Sequence, residues 1–326
     1  MTLKKSKTLN KHRPRSAARK KRNSIKKILT TTDFSDESRS GVRYAVALAE
    51  KLHATVSLLH VVDQPFHQSG AKSIMLAHES TDLPQSAPGR MAALVKSEGN
   101  RGVTLTSAIR NGTPFHEITT AADKSAADVI VIATHGYTGP KHVVLGSTAE
   151  RVVRHAPCPV LTVPTRTKDK RTGIAHGLQL KRILLPMDFS ELSKDALPWA
   201  TFLAEQFRAE IVLLHVVEKF PIDYLLGKEL ASHSIVPLIK QAEADLGRTA
   251  SDLAKSFGLN ISAAVREGKP HVEICETGKT LDADLIVLTT HGYTGLKHVW
   301  LGSTAERVVR HASCPVLVVR EKQPCA

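Results

Sequence analysis

The chain has 326 residues, an apolar content of 42% that is ordinary for a globular protein, and a formal net charge of +14. No apolar run reaches the ~18 residues that span a bilayer, and the start lacks the apolar core of a signal peptide, so we expect no membrane association. The cysteines show no CxxC pattern, which argues against a disulfide framework and predicts a cytoplasmic location: Cys158, Cys275, Cys314 and Cys325.

Strands and helices alternate along residues 24–164. Short apolar runs predict five strands, and apolar residues at spacings of three to four predict the helices between them. The strands are expected at residues 25–31, 54–62, 103–110, 128–133 and 159–163, and the helices at 38–52, 89–98, 114–125 and 148–155. This alternation predicts a parallel sheet with helices on both faces.

The same pattern then occurs a second time. Residues 134–160 and 290–316 differ at three positions only: Pro140/Leu296, Val144/Trp300 and Pro157/Ser313. The repeated unit is too long for a solenoid repeat. We therefore predict two tandem domains, at residues 24–164 and 179–321, joined by a basic linker at 165–178.

A basic tail precedes the first domain. Residues 1–27 contain twelve Lys or Arg and no Asp or Glu, so the rest of the chain is nearly neutral. Such a tail can contact nucleic acid or anionic lipid, or it can be a solvated, disordered extension. No aromatic residue interleaves the basic ones. We therefore expect residues 1–23 to be disordered, with nucleic acid as an alternative partner through this tail alone.

Three features of each copy should meet at the carboxyl ends of the strands, where open α/β sheets bind ligands. They are an aspartate after the first strand, a glycine after the fourth, and a Gly-Ser pair before the last helix: Asp33 and Asp188, Gly136 and Gly292, Gly146-Ser147 and Gly302-Ser303. Glycines let backbone N–H groups approach an anion, and a helix N-terminus adds unpaired N–H groups. The aspartates could accept from ribose hydroxyls or help to hold Mg²⁺.

Each feature also has an interpretation without a ligand. Ser147 and Glu150 have the spacing of a capping box, Asp33 and Ser35 could cap the first helix, and Gly136 could be an ordinary turn residue. The features occur together in both copies, and this favours a phosphate site. The sequence contains no Walker A loop and no GxGxxG after the first strand.

At these residues the chain resembles the universal stress protein family in its tandem two-domain form. The ATP-binding signature of that family is Gly, two residues, Gly, nine residues, Gly, then Ser or Thr. Both copies match it from the second glycine onward. The TDFS and MDFS turns, the two LLHVV strands and the two CPVL segments add to the resemblance, which covers about residues 24–164 and 179–320.

The resemblance implies two flavodoxin-like (adenine nucleotide alpha hydrolase-like) domains, each with a five-stranded parallel sheet, that bind ATP with Mg²⁺. It implies that Asp33 and Asp188 approach the ribose and the metal. It also implies that Val61 and Val216 contact adenine through their backbone. The phosphates are then held by the glycines and serines of the signature: Gly136, Gly146 and Ser147, and Gly292, Gly302 and Ser303.

Both copies depart from the signature at its first glycine, which is Ala133 in one copy and Thr289 in the other. Alanine adds one methyl group, whereas threonine is β-branched and bulkier where the nucleotide should approach. We therefore expect the N-terminal site to bind ATP more readily than the C-terminal site.

Family members pair through their last strands, so residues 160–163 and 316–319 should join the two halves as an internal pseudo-dimer. A homodimer is a further option, and the protein partner is unknown. We expect a nucleotide-dependent regulator of the stress response that does not act by turnover. The alternatives are a slow ATPase, in which Asp33, His135 and Ser147 could meet, and an interaction module that is independent of nucleotide.

Two further pairs of histidines recur in the copies. His155-x-x-Cys158 and its equivalent in the second copy each offer two ligands, whereas a structural zinc site takes four. His60 and His215 lie inside apolar strands, where we expect a buried hydrogen bond and no chemistry.

Overall fold

The structure is a computed structural model that describes residues 23–63, 86–134, 145–164, 177–190, 193–218, 228–290 and 302–320. Strands β1 to β10 of this part of the chain are, in order, Lys27–Thr31, Thr55–Val62, Leu105–Asn111, Val129–Ala133, Val160–Val163, Arg182–Pro186, Glu210–Val217, Ile261–Glu267, Leu285–Thr289 and Val316–Val319. Helices α1 to α8 are Asp36–Leu52, Ala87–Glu98, Pro114–Ser125, Ser147–His155, Leu197–Phe207, Lys228–Phe257, Pro270–Thr280 and Ser303–His311.

All ten strands form one sheet in the order β3-β2-β1-β4-β5-β10-β9-β6-β7-β8. Within each copy the neighbouring strands are parallel, because a helix crosses the sheet between them. The predicted α/β class, with a five-stranded parallel sheet in each copy, is confirmed. The order 3-2-1-4-5 within a copy is that of the classic dinucleotide-binding sheet, whereas flavodoxin itself has the order 2-1-3-4-5.

The two copies meet at their last strands. β5 and β10 pair antiparallel, with Leu161 opposite Leu317 at the centre of the register. The buried hydroxyl of Thr162 donates to the Val316 carbonyl at 3.2 Å and adds a side-chain bond to this seam. The predicted internal pseudo-dimer through the last strands is therefore confirmed.

Apolar side chains cover both faces of the sheet. Along β4, Val129 and Val131 pack against α1 on one face, whereas Ile130 and Ile132 pack against α3 and α4 on the other. Both clusters continue across β5 and β10 into the second copy. A strand that is buried on both faces has a continuous apolar sequence, and for this reason the sequence predicts these central strands.

The first helix differs between the copies. In the first copy the Ser35 hydroxyl accepts from the Ser38 N–H at 3.1 Å, and α1 then continues unbroken to Leu52. In the second copy a 3-10 turn at Ser193–Ala196 comes first, and α5 begins only at Leu197. Pro198 has no N–H and is tolerated in the first turn of an α-helix but not in its interior, so the regular helix begins next to it.

Among the helices that the structure describes, none is both long enough and apolar enough to cross a membrane. Residues 1–22 of the basic tail and 165–176 of the linker lie outside the described residues.

Candidate functional site

The turn after β1 orients the Asp33 carboxylate. Asp33 Oδ1 accepts hydrogen bonds from the Ser35 N–H at 3.0 Å and from the Ser35 hydroxyl at 2.5 Å. The second copy repeats this geometry, with the Ser190 donors 3.1 and 2.6 Å from Asp188 Oδ1. Hydrogen bonds to a charged acceptor are strong. Each carboxylate therefore has a fixed orientation at the carboxyl edge of the sheet.

A phenylalanine follows each of these aspartates in a strained backbone conformation. Phe34 has φ 65° and Phe189 has φ 60°, in the left-handed region that is uncommon for a bulky side chain. Strain of this kind costs on the order of 1–3 kcal/mol and persists only where surrounding contacts impose it. Its occurrence at the same position of both copies marks this turn as a constrained part of the site.

Two histidines contact these turns. His60 Nδ1 lies 2.8 Å from the Thr32 carbonyl oxygen, and His215 Nδ1 lies 2.8 Å from the Met187 carbonyl oxygen. The expectation of a hydrogen bond for both histidines is confirmed. The bonded carbonyls belong to the residues immediately before the two aspartates.

The predicted Gly-Ser pairs lie at the N-termini of α4 and α8. The Gly146 N–H donates to the Thr134 carbonyl at 2.8 Å, and the Gly302 N–H donates to the Thr290 carbonyl at 2.7 Å. In each copy this bond joins the residue after the fourth strand to the start of the last helix. The intervening loops carry Gly136, His135 and Lys141 and, in the second copy, Gly292, His291 and Lys297, all of which lie outside the described residues.

The capping-box interpretation of Ser147 is wrong. Gly146 is the N-cap residue and Ser147 is the first helical residue, so Glu150 is one position too late to complete the box. The Glu150 carboxylate instead pairs with Arg154 at 2.8 Å. Within the described residues no hydrogen bond engages the hydroxyl of Ser147 or of Ser303, its equivalent in the second copy.

A cavity of about 210 Å³ lies at the carboxyl edge of the second copy. It is lined by the five predicted site residues of that copy that the structure describes: Asp188, Val216, Thr289, Gly302 and Ser303. The structure thus brings together residues from the turn after β6, from β7, from the end of β9 and from the start of α8. Residues this far apart in the chain meet because the carboxyl ends of parallel strands share one edge.

Sequence reasoning missed several residues that line the same cavity. Glu218 follows β7 directly, and Thr290 and Thr304 each adjoin a predicted residue. Their position next to a strand end or a helix start is the signal that could have identified them. Apolar side chains from β6, β7, β9 and α7 also line the walls: Pro186, Leu214, Pro270, Ile274 and Leu288.

The His-Cys pairs have a different environment. Burial, and after it the charges of Arg320, Arg154 and Arg151, lower the pKa of His155 below its ordinary value. Burial raises the pKa of the Cys158 thiol to about 12, which disfavours the thiolate that binds metal. Among the described residues no cluster of three or more His, Cys, Asp or Glu side chains could hold a metal ion.

The fold defines a tandem α/β protein in which both copies repeat the aspartate turn and the helix start at the carboxyl edge of a parallel sheet, and the second copy has a cavity there. The family model described as "Universal stress protein family" matches residues 24–164 and 179–320. The chain therefore belongs to the universal stress protein family.

Individual relatives agree with this assignment. Universal stress protein MJ0531 of Methanocaldococcus jannaschii is 38% identical over 149 residues, which is 45% of this chain and 87% of the relative. Universal stress protein Slr1230 of Synechocystis sp. is 24% identical over 315 residues, covering 91% of this chain and all of the relative. The crystal structure of a universal stress protein from Archaeoglobus fulgidus matches with a TM-score of 0.63 and 21% identity, covering 91% of this chain and 98% of that one, and so shares the fold.

Proposed function

We propose that this stress protein binds ATP with Mg²⁺ at the carboxyl edge of each copy and acts as a nucleotide-dependent regulator. The observation that carries the proposal is the convergence of five predicted residues on one cavity. Four of the equivalent positions in the first copy have the same residue types, namely Asp33, Val61, Gly146 and Ser147, and the fifth has Ala133 in place of Thr289.

The phosphate end of the proposed site is the start of α8. Backbone N–H groups of a first helical turn have no partner within the helix and carry the positive end of its dipole. The Gly302 N–H already donates to Thr290, so the N–H groups that follow it and the Ser303 hydroxyl are the candidate donors to phosphate. In the first copy Gly146 and Ser147 supply the same arrangement at α4.

The metal follows from the charge of the cavity. The described residues that line it include no Lys, Arg or His, and two of them, Asp188 and Glu218, are acidic. A triphosphate beside two carboxylates needs a cation. Mg²⁺ satisfies this need because it binds through one or two carboxylates together with phosphate oxygens and water. We assign Asp33 and Asp188 to the ribose and to this metal.

The nucleoside end of the proposed site is the end of β2 and of β7. Val61 and Val216 lie there, next to the aspartate turns, and their backbone is assigned to adenine.

Calorimetric titration of the full chain with Mg-ATP tests the proposal. The variant Ser147→Ala/Ser303→Ala should bind about tenfold more weakly or worse, because one hydrogen bond to a charged phosphate is removed at each site. The matched control Ser125→Ala/Ser256→Ala removes two helix hydroxyls that donate to carbonyls of their own helices and should leave the affinity unchanged. No binding by the wild type, or equal effects in both variants, would contradict the proposal. Steady release of ADP would identify turnover in place of regulation.

We also assign the stronger site to the first copy. Ala133 is buried at the end of β4, whereas Thr289 is partly exposed and lines the cavity. The branched side chain of Thr289 therefore takes up space at the point where the signature of the family has a glycine.

A further inference from the structure

The hydrogen bond of His60 interrupts the regular ladder between β1 and β2. Thr31 lies opposite Leu59 at the end of the register, and the Thr32 N–H then donates to the Leu59 carbonyl at 3.0 Å. In a regular parallel ladder the next bond would run from the Val61 N–H to the Thr32 carbonyl. That carbonyl is bonded instead by His60 Nδ1 at 2.8 Å.

The second copy is built in the same way. The Met187 N–H donates to the Leu214 carbonyl at 2.8 Å, and His215 Nδ1 lies 2.8 Å from the Met187 carbonyl oxygen, in the position that the Val216 N–H would take. In both copies the substituted N–H belongs to the valine at the nucleoside end of the proposed site. The arrangement thus recurs at the nucleoside end of both copies.

Each imidazole also packs on the strained phenylalanine of its turn. The ring centroids of His60 and Phe34 are 4.3 Å apart, and those of His215 and Phe189 are 4.6 Å apart. One histidine therefore contacts both sides of the aspartate, through the carbonyl before it and the ring after it. These contacts hold the turn in its strained conformation.

The hydrogen bond to the carbonyl determines which ring nitrogen carries a proton. A carbonyl oxygen only accepts, so the Nδ1 of His60 and of His215 must carry the proton. A neutral ring in this geometry is the Nδ1–H tautomer, with Nε2 as its acceptor.

We propose that His60 and His215 are positioning residues for the nucleoside. Each imidazole takes the hydrogen-bond position at the end of the strand pairing, so that the backbone N–H of Val61 or Val216 is directed at adenine. Each also binds the backbone carbonyl of the residue before Asp33 or Asp188, whose carboxylate is assigned to the ribose. This inference rests on the proposed function and deepens it. Neither histidine touches the nucleotide in this account, because each acts through the backbone of its neighbours.

A variant that keeps the ring but lacks its nitrogens distinguishes positioning of the nucleoside from a purely structural role. In His60→Phe/His215→Phe the ring area is kept, but the Thr32 and Met187 carbonyls lose their donor, and the valine N–H groups can close the ladder. Affinities of the full chain for Mg-ATP and for Mg-tripolyphosphate, which has no nucleoside, are compared. We expect the preference for ATP over tripolyphosphate to fall about tenfold, the equivalent of one hydrogen bond. The affinity for Mg-tripolyphosphate should change much less, because Ser35 and Ser190 still hold the carboxylates that are assigned to the metal. His60→Asn/His215→Asn, whose amide N–H can reach the same carbonyls, should restore part of the preference.

The outcomes are distinguishable. If the wild type binds neither ligand, the proposed function fails and this inference fails with it. If the wild type prefers ATP and the phenylalanine variant keeps that preference, or weakens for both ligands equally, this inference alone is overturned. A second measurement needs no variant that could misfold: nitrogen-15 NMR of the wild-type imidazoles should show the Nδ1–H tautomer for both residues, and the Nε2–H tautomer would overturn the proposal.

Discussion

Among the predicted site residues, the two copies differ at one side chain. Ala133 ends β4 and Thr289 ends β9, at the position of the first glycine in the family signature. Around Ala133 the packing is close, because a Cβ on Gly41 of α1 would lie 3.2 Å from the Ala133 backbone nitrogen. In the second copy the residue equivalent to Gly41 is Ala196, which lies in the 3-10 turn that precedes α5.

Exchange of these side chains tests which site is stronger. Ala133→Thr should weaken the tighter of the two ATP affinities, because it adds a branched side chain where the nucleotide binds. Thr289→Ala should strengthen the weaker affinity, because it removes such a side chain. Changes of about 1–2 kcal/mol, or roughly tenfold in affinity, are expected. Two-site calorimetric titration of the full chain measures both affinities. Thr280→Ala, at an exposed position, is the control, and two unchanged affinities in both exchange variants would refute the assignment.

The short helices that begin at the proposed phosphate sites are linked to each other. Arg154 of α4 pairs with Glu150 of its own helix at 2.8 Å and with Glu306 of α8 at 3.2 Å. Arg310 of α8 also pairs with Glu306, at 2.9 Å. Glu306 lies in the first turn of α8, so this ion-pair network joins the last turn of one phosphate helix to the first turn of the other.

The C-terminal turn of α4 and the start of α7 carry histidines in a cationic environment. Burial first, and then Arg320, Arg154 and Arg151, lower the pKa of His155. Burial first, and then Arg307, His311 and Lys269, lower the pKa of His271. At the C-terminus of α4 the helix dipole favours a protonated His155, but burial together with the arginines outweighs the dipole and lowers the pKa.

These two lowered pKa values make stability depend on pH. Below the ordinary histidine pKa of about 6.5 the unfolded chain binds more protons than the native one, so the free energy of unfolding should fall as the pH is lowered through that value. His155→Gln/His271→Gln should make this fall shallower, and His116→Gln, at an exposed position of α3, is the matched control. Urea unfolding between about pH 7.5 and pH 5 measures the slopes, and identical slopes for the double variant and the wild type would contradict the account.

Element positions were predictable to the extent that local patterns determine them. The helix at residues 114–125 was predicted with its observed bounds, because Pro114 marks a helix start and Ile118 and Ala121 mark its buried face. The interruption before α5 was not predicted, although Pro198 is visible in the sequence, because the second copy was interpreted as a repeat of the first. The one-residue shift that makes Gly146 the N-cap depends on its bond to Thr134, which no local pattern reveals.

At the scale of the whole molecule, duplication of one unit gives one continuous sheet. The antiparallel pairing of β5 with β10 protects two strand edges that would otherwise be exposed, and the cores on both faces continue across the seam. The sequence pointed to this pairing through its family resemblance. The convergence of Asp188, Val216 and Ser303 on one cavity followed from the same resemblance and from the geometry of parallel sheets.

Other parts of the site could not be predicted from the sequence. The replacement of the Val61 N–H by the His60 ring occurs where the pairing of β1 with β2 ends, and the end of a strand pairing has no signature in a single strand. Glu218 was missed because a lone charged residue after a strand is also typical of an ordinary exposed turn.

The central claim is that one chain holds two nucleotides, one at each carboxyl edge. The most direct test incubates the purified full chain with a mixture of ATP and GTP in the presence of Mg²⁺, removes free nucleotide by gel filtration, and quantifies the bound nucleotide after denaturation. We predict that ATP is retained over GTP, at about one equivalent per chain when the second site is weak and about two at saturation, and that removal of Mg²⁺ lowers both values. Protein that emerges free of nucleotide at saturating ATP, or that retains ATP and GTP equally, would contradict the account.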